Sequence, residues 1–529
     1  MPSYLHPGVY IEEIPSGSKP IEGVSTSTTA FVGATFRGPV NTPTLIGTWD
    51  EYVAQFGDFN QRTGIQNESD ATALAVRAFY QNGGKAAYIC RMLSVDPDVV
   101  STASVTLTNA DGDVLVVSAS SPGEWANNLA VAVYENGDEF NFFVGTYTQG
   151  EDAADDTDDV FVPLASESFK GLSLDPTEDN FIEKVVNSSS KLVIVTVDEA
   201  ATGEPTANDP DGATADLRFT RLVAIATPIS DTAATADDYD SFYTSILRKV
   251  SDVSIIVLPG QTMPADGSGN EFIANTINHC EATMSRVVIV DPADVEFKNA
   301  GEVNTMSLPT STYSVLFYPW VTINNPLFNA DTNPTAATTI SIAPSAIAAG
   351  MWTKIDGKRG VWKAPAGVET RINVAGVKYD VEDLEQDFLN PLGVNCIRKR
   401  PGYGPVFWGS RTLATKADPE WRYVPVRRTA IYIEQSIFNG IQWAVFEPND
   451  HPLWSSLRAN IGSFMNGMFR AGAFQGKTAD EAYFVRCALG DTMTQGDIDR
   501  GQVIIVVGFA PLKPAEFVIL RLQQKVGQQ

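Results

Sequence analysis

Apolar runs of the buried-strand type alternate with helical patterns between residues 216 and 345. The apolar runs cover residues 222–226, 253–258 and 286–290, and the helical patterns between them cover residues 236–250 and 270–284. A parallel strand is covered on both faces by crossover helices, so its sequence is continuously apolar. This alternation therefore predicts a parallel sheet covered by helices.

Each end of the chain carries a short β-prone segment that has no partner strand beside it. No Gly/Asn turn joins either segment to an adjacent strand, so neither is half of a local hairpin. An unpaired strand can pair with the edge of another sheet, and two such arms predict a subunit that links to copies of itself. The alternative is that both arms fold back onto their own domain. The predicted linking residues are Val9, Tyr10, Ile11 and Glu12 in the N-terminal arm and Phe517, Val518, Ile519 and Leu520 in the C-terminal arm.

Charge is unevenly distributed along the 529 residues. Residues 396–529 hold 16 Lys/Arg against 11 Asp/Glu, whereas the whole chain has a net charge of −27. The acidic remainder should repel nucleic acid and anionic membranes, and the basic part could face an acidic partner. The four cysteines are far apart, which is typical of reduced core residues in a cytosolic protein. We expect no signal peptide, and the apolar stretch 503–512 is too short to span a bilayer.

Changes in composition and hydrophobic pattern along the chain predict six segments. Residues 1–27 form an N-terminal strand arm and linker, 28–96 an N-terminal α/β part of the core, and 97–215 an inserted β-rich outer domain. Residues 216–400 form an α/β domain, 401–512 a C-terminal domain, and 513–529 a C-terminal strand arm. Long amphipathic helices are predicted over residues 429–446 and 452–471, and a basic loop is predicted over residues 398–411.

Motifs for catalysis are weak in this sequence. Residues 471–478 satisfy a relaxed phosphate-loop pattern, but they follow a predicted helix rather than a strand, and Asp480 and Glu481 put negative charge where phosphates would bind. The three histidines are separated and form no metal motif, and there is no GxSxG elbow. We therefore predict no enzyme activity and no catalytic, cofactor-binding or metal site. A hydrolase using His279 in the middle α/β region is the enzymatic alternative.

Several short motifs together resemble the sheath proteins of contractile phage tails and phage-tail-like injection systems. Near the N-terminus the similar segments are residues 4–13, 23–33 and 37–39. In the C-terminal third they are residues 390–395, 408–413, 423–428 and 446–449. The resemblance covers about residues 1–95 and 216–529, and the segment 97–215 departs from it.

The resemblance implies an α/β and α+β multidomain fold. It comprises a subtilisin-like but non-catalytic α/β middle domain, an α+β C-terminal core domain that faces the tube, the β-rich inserted outer domain, and extended strand arms at both termini. It also implies a structural subunit that stacks as six-fold rings around an inner tube and contracts. The arms would then link neighbouring subunits by strand exchange.

The resemblance also implies partners: other copies of the chain, an inner tube protein, and baseplate and tail-terminator or cap proteins, with no nucleic acid, no direct membrane insertion and no cofactor. Assembly is expected in the bacterial cytoplasm, followed by a place in a phage tail or phage-tail-like particle. Arg470, Lys477 and Glu481 are the candidate contacts with the inner tube. A baseplate or capsid component that exchanges strands is the structural alternative.

Overall fold

The computed structural model describes residues 20–59, 68–94, 102–136, 139–146, 166–206, 220–221, 232–331, 334–414, 416–517 and 519. The chain divides into a large unit, residues 25–428, and a small unit, residues 1–24 and 429–529. The N-terminal arm residues 9–12 lie outside the described part of the chain, as does the strand predicted over residues 222–226.

The large unit opens with a compact α/β segment. Its elements are β1 (Thr29–Gly33), β2 (Thr44–Ile46), α1 (Trp49–Phe56), α2 (Glu68–Gln81) and β3 (Ala87–Arg91). The Thr48 side chain accepts a hydrogen bond from the Glu51 N–H and so caps α1, and Gly57 ends this helix at a φ of 91°. These elements agree with the strand–helix–strand unit predicted for this region.

Two small antiparallel sheets follow, built from β4 (Ser104–Asn109), β5 (Gly112–Ala119), β6 (Leu129–Asn136), β7 (Glu139–Thr146), β8 (Ser166–Leu172), α3 (Ile182–Ser189), β9 (Val193–Val197) and β10 (Thr220–Arg221). One sheet has the order β4-β5-β9 and the other β10-β6-β7-β8. The two sheets share one apolar core, which includes Trp125, Phe140 and Phe142. Alternating apolar residues thus produce the β-rich structure that the sequence predicts here.

The rest of the large unit alternates helices and strands. Its elements are α4 (Ala236–Ser245), β11 (Ile255–Met263), α5 (Glu271–Thr283), β12 (Val287–Pro292), α6 (Ala300–Thr305), β13 (Ser314–Tyr318), β14 (Val321–Asn324), β15 (Thr339–Ile342), α7 (Ser345–Arg359), β16 (Gly376–Val377), α8 (Asp383–Leu389), β17 (Val394–Arg400) and β18 (Gly404–Phe407). The basic segment 398–411, predicted as a loop, instead contributes to an antiparallel hairpin of β17 and β18 that turns at residues 401–403.

The central sheet has eight strands in the order β18-β17-β13-β12-β11-β1-β3-β2. The pairs from β17 through β3 are all parallel, and only the edge strands β18 and β2 pair antiparallel. Strand order runs outward in both directions from the junction between β1 and β11, except that β2 lies outside β3. This confirms the parallel sheet that the alternating pattern predicts, with α2, α5 and α7 packed on it.

The small unit is mainly helical. It holds the last twelve residues of α9 (Val424–Gly440), then α10 (His451–Arg470), α11 (Ala479–Ala482), β19 (Tyr483–Arg486), α12 (Gln495–Asp499) and β20 (Val506–Phe509). Asp450 caps α10 by accepting the Leu453 N–H, and Pro452 occupies the first turn, where no helical N–H partner is needed. The helix predicted over residues 429–446 ends at Gly440, so Val445 lies beyond it.

Candidate assembly surfaces

A two-stranded antiparallel sheet carries open edges on the small unit. Strands β19 and β20 pair with Tyr483 opposite Phe509 and Phe484 opposite Gly508. The Ala510 N–H donates to the Ala482 carbonyl oxygen at 2.8 Å. In an antiparallel pair, residues that bond the partner strand alternate with residues that do not, so the N–H groups of Val485 and Val507 point away from the partner strand. In the part of the chain that the structure describes, no third strand joins this sheet.

Apolar side chains remain exposed on the same sheet. The Phe484 ring lies over Gly508, where an added Cβ would approach the ring to 2.3 Å, and Phe484 still has 45% of its surface exposed. Val506 is 42% exposed. Such apolar surface beside unpaired edges would be covered if another strand were added.

The structure describes two of the four C-terminal arm residues. Phe517 and Ile519 are largely exposed, and neither belongs to a strand. Val518 and Leu520 lie outside the described residues. The arm follows β20 directly, after Pro511 forms an isolated antiparallel bridge with Phe474.

The first described residues of the chain pack against α9. The Val24 N–H donates to Ser436 Oγ at 3.1 Å. Ile21 packs so closely on Gly440 that a Cβ there would approach Ile21 to 2.6 Å. Residues 20–24 therefore lie along α9, and the N-terminal arm residues Val9, Tyr10, Ile11 and Glu12 lie outside the described residues.

The three candidate tube contacts are all exposed. Arg470 is the last residue of α10, and the Lys477 backbone N–H donates to the Glu481 carboxylate at 2.8 Å. The structure thus brings Lys477 and Glu481 together through the backbone of the turn. The phosphate-loop match at residues 471–478 follows a helix C-terminus, which agrees with the interpretation of this segment as a helix end and a turn.

His279, the residue on which the hydrolase alternative depends, packs inside the large unit. Its ring stacks on Tyr243 with centroids 4.9 Å apart, and Arg286 Nη1 lies 3.3 Å from its Nε2. Burial and the neighbouring Arg286 charge lower the pKa of His279 to about 4. The adjacent Cys280 is buried, and burial raises the pKa of its thiol to about 12. His279 thus packs against Tyr243 and Arg286 inside the large unit, next to the buried Cys280 in sequence.

A cavity of about 860 Å³ opens near the carboxyl ends of β11 and β12. Asp291 and Ser345 line it, and Asp291 accepts hydrogen bonds from the Ser345 N–H and hydroxyl. Asp294 and Lys378, which form an ion pair, also line the cavity. Burial raises the pKa of Asp291 to about 7. Because Asp291 binds the first turn of α7, its geometry is that of a helix cap supplied by another element.

Metal-binding clusters and membrane-spanning helices are both absent from the described ranges. No group of three His, Cys, Asp or Glu side chains there could hold a metal ion. Among the helices that the structure describes, none combines the length and apolar character needed to cross a bilayer.

One exposed residue was missed by sequence reasoning. Phe446, predicted as the end of a helix, is fully exposed in the connection between α9 and α10. Its presence in the motif at residues 446–449 is the only sequence signal that marks this position.

Comparison with known proteins identifies the family. Residues 232–413 match the model of the phage tail sheath protein central domain, and residues 416–525 match that of the phage tail sheath C-terminal domain. Together these models cover more than half of the chain.

Individual relatives agree with the family models. A tail sheath protein of Vibrio phage KVP40 is 26% identical over 176 residues, which are 32% of this chain and 25% of the relative. A tail sheath protein of Burkholderia phage BcepMu is 28% identical over 185 residues, 33% of this chain and 37% of the relative. The chain thus aligns with less than two fifths of the length of these curated relatives.

A solved structure extends the similarity of fold to almost the whole chain. The helical sheath of the anti-feeding prophage in its contracted state is matched with a TM-score of 0.57 and 23% identity, covering 99% of this chain and 100% of that one. At this identity the match establishes the fold. The two domain models, supported by the curated relatives, show that the chain belongs to the phage tail sheath family.

Proposed function

We propose that this chain is the structural subunit of a contractile sheath. Copies of it polymerise as stacked six-fold rings around an inner tube, and contraction drives the tube through a target envelope. The observation that carries the proposal is the sheet β19-β20, which no third strand of the described residues joins and on which Phe484 and Val506 are exposed. Family membership supports the same conclusion.

Strand exchange is the proposed link between subunits. The N-terminal residues 9–12 and the C-terminal residues 517–520 add as strands to the β19-β20 edges of neighbouring subunits. Each backbone hydrogen bond contributes a net ~1 kcal/mol, so a four-residue strand is held by a few kcal/mol. Such a link is flexible because its energy does not depend on the orientation of the rest of the subunit, and neighbours stay connected while the lattice rearranges.

Contraction is proposed to release energy stored in a metastable extended lattice. Subunit surfaces repack into a lower-energy arrangement, and a few kcal/mol per subunit sums to a large mechanical output. This role needs no catalytic residue and no cofactor in the subunit, and the packing of His279 between Tyr243 and Arg286 agrees with a structural role for the middle domain. The subtilisin-like description of that domain and the six-segment division of the chain belong to the proposal.

The proposed partners are further copies of the chain, the inner tube protein, the baseplate, and a terminator or cap protein. Assembly takes place in the bacterial cytoplasm, and the product is part of a phage tail or phage-tail-like particle. A strand-exchanging baseplate or capsid component is the structural alternative, because it too would use the open edges of β19 and β20.

Arm-dependent polymerisation is the first prediction. We expect the full-length chain to form striated cylinders in negative-stain electron microscopy, and we expect a chain lacking residues 1–15 to form none. Val507→Pro should have the same effect, because it removes an outward N–H from the β20 edge. Val507→Thr keeps that N–H and is the matched control. Cylinders from the truncated chain and from Val507→Pro alike would refute strand exchange at this edge.

Charge contact with the tube is the second prediction. Arg470 and Lys477 are exposed and close in sequence to α11, so we propose that they face acidic groups of the tube protein. Arg470→Glu with Lys477→Glu should abolish sheath formation on the tube while leaving the unfolding midpoint of the unassembled subunit unchanged. The exposed Lys184→Glu, in the inserted region, serves as a charge-reversal control. Unaltered tube decoration by the double variant would exclude these residues as the contact.

A further inference from the structure

The cavity of about 860 Å³ lies at the switch point of the central sheet. On one side of β1 are β3 and β2, which follow it in the chain, and on the other side is β11. Pro259, Gly260 and Thr262, near the carboxyl end of β11, line the cavity. An added Cβ on Gly33, the last residue of β1, would lie 3.6 Å from the Pro259 carbonyl oxygen. Parallel sheets covered by helices bind ligands at this position, outside the carboxyl ends of their strands.

A bulge in β11 separates it from β12 beside the cavity. Val257 pairs with Ile289 of β12. The next pair is Thr262 with Asp291, so four residues of β11 lie opposite a single residue of β12. Gly260, within this bulge, has φ +82°, a conformation that glycine adopts without strain. Bulges occur often beside binding sites, where they redirect the chain.

The walls of the cavity combine small and apolar side chains. Ala71 and Ala75 of α2 are one helical turn apart and only half-buried, so α2 leaves space here instead of filling it. The larger apolar lining residues come from α2 and from the β14-β15 hairpin with its flanks: Leu74, Trp320, Leu327, Ile340 and Ile342. A mainly apolar cavity of this volume is of the size that holds a small organic molecule.

A buried carboxylate without a cation partner lines this cavity. Asp291 is 2% exposed, and both of its hydrogen bonds come from Ser345. A carboxylate has about four acceptor positions, so capping of α7 uses only half of them. No Lys or Arg in the described part of the chain forms an ion pair with Asp291. Buried carboxylates are usually paired, so this one is available to a positively charged ligand.

The other charges at the cavity are those of Asp294 and Lys378, which form an ion pair. Lys378 binds Asp294 Oδ2, whereas Asp294 Oδ1 is buried and accepts no hydrogen bond from the described residues. The lining residues of α2, β11, α7 and the β14-β15 hairpin carry no charge. Asp291 therefore sets the net charge of the cavity, and Asp294 Oδ1 offers a second acceptor.

We propose that this cavity binds a small organic molecule that carries a primary ammonium on an apolar body. The ammonium has three N–H donors, which it directs to Asp291 and to Asp294 Oδ1. The apolar body packs on Leu327, Ile340 and Ile342. A metal ion fits less well, because no group of three His, Cys, Asp or Glu side chains in the described residues could hold one. The site lies within one subunit and goes beyond the role proposed for the chain in assembly.

The test measures binding to the unassembled full-length subunit by isothermal titration calorimetry. Three probes of similar shape differ in their polar group: phenethylammonium, 2-phenylethanol and phenylacetate. At pH 8 we expect phenethylammonium to bind roughly tenfold or more tightly than the alcohol, because only the ammonium pairs with the carboxylate. Phenylacetate should not bind. Butylammonium and protonated tryptamine, titrated alongside, test a smaller and a larger apolar body.

Asp291→Asn removes the charge but keeps an acceptor oxygen, and it should weaken phenethylammonium binding roughly tenfold or more. Burial raises the pKa of Asp291 to about 7. Because the ammonium pairs with the ionised carboxylate, wild-type affinity should fall roughly a hundredfold from pH 8 to pH 5. The probe keeps its charge over this range, so its affinity for Asp291→Asn should not change with pH.

Two further variants separate the cavity from general charge effects. Ala75→Phe fills the space beside α2 and leaves Asp291 in place, so it should abolish binding of all the amines. Asp380→Asn removes an exposed carboxylate that is paired with Lys399 and does not line the cavity. It should bind phenethylammonium with wild-type affinity. Asp291→Asn keeps the test decisive if the new phenylalanine disturbs folding, which urea unfolding detects.

Equal affinity for phenethylammonium and 2-phenylethanol would overturn the proposal. So would wild-type amine affinity of Asp291→Asn, or the failure of all three amines to bind at pH 8. Because binding is measured on the unassembled subunit, none of these results bears on the sheath function. Failure of the chain to form cylinders would equally leave the ammonium site standing.

Discussion

Replacing Asp356 with alanine is expected to lower the free energy of unfolding of the unassembled subunit by about 3–5 kcal/mol, because it leaves the Arg428 charge buried and unpaired. The two side chains are 5% and 3% exposed. Arg428 Nη1 and Nη2 lie 3.0 and 2.5 Å from the two Asp356 carboxylate oxygens. This two-point geometry gives a guanidinium its strongest carboxylate contact.

Further contacts fix the same pair. Thr26 Oγ1 donates to Asp356 Oδ2 at 2.8 Å, and Arg428 Nη2 donates to the Thr26 carbonyl oxygen at 2.7 Å. The Arg428 guanidinium also lies 4.5 Å from the ring centroid of Trp352. The ion pair therefore connects the start of the large unit, α7 and the start of α9. Its loss should weaken the packing of these three segments on one another.

Urea unfolding monitored by tryptophan fluorescence measures the effect of Asp356→Ala. The matched control is Asp380→Ala, whose partner Lys399 is 2.9 Å away but exposed, and which should cost at most about 1 kcal/mol. Asp356→Leu combined with Arg428→Met removes both charges and should recover most of the loss. Equal effects of Asp356→Ala and Asp380→Ala would contradict the assignment of the buried pair.

Asp291→Asn is expected to stabilise the subunit at alkaline pH and to have little effect in acid. Asp291 accepts the N–H and hydroxyl of Ser345 at the start of α7, where Pro344 offers no side-chain acceptor of its own. Burial raises its pKa from 3.8 to about 7. The folded protein therefore binds this proton more tightly than the unfolded chain, and stability falls as pH rises from about 4 to about 7.

Asparagine keeps acceptor capacity at this site but carries no charge. The gain from Asp291→Asn should approach roughly 4 kcal/mol at pH 8 and vanish near pH 4, since one pKa unit corresponds to about 1.4 kcal/mol. Unfolding is measured in urea from pH 4 to 8 for both proteins. His279, whose pKa is lowered to about 4, titrates in both, so its contribution cancels in the difference.

Asp291→Ala separates the stabilisation that Asp291 gives by capping α7 from the cost of its buried charge. It removes the acceptor at every pH, so α7 should lose about 1 kcal/mol of capping even where Asp291 would be protonated. A difference between wild type and Asp291→Asn that stays constant from pH 4 to 8 would show that the Asp291 charge does not limit stability.

Elements with strong periodicity were predictable from sequence. The apolar runs predicted at 253–258 and 286–290 are β11 and β12, and the amphipathic pattern predicted at 452–471 is α10. These predictions succeeded because the spacing of apolar residues along the chain follows from burial on one or both faces of an element. The hairpin of β17 and β18 was not predicted, because the basic residues of segment 398–411 are typical of a loop. The first five residues of β17 are nevertheless buried.

The candidate assembly surface was only partly predictable. The apolar character of residues 517–520 predicts an arm. That no third described strand joins β19 and β20 depends on which strands pair, and pairing is a long-range property. The sequence pattern of residues 429–446 predicted a helix through Phe446. The chain instead turns after Gly440, because Ile441 and Trp443 pack on the core around Trp454.

By itself the sequence determined the alternating α/β order of the large unit, the helical character of the small unit and the family, because each follows from local spacing or short motifs. Tertiary structure alone decided the cap of Asp291 on α7, the pairing of Asp356 with Arg428, and the exposure of Phe446. Each of these depends on the packing of separate segments of the chain, and the energies involved come from burial and charge at those contacts. No local pattern of residues encodes such contacts.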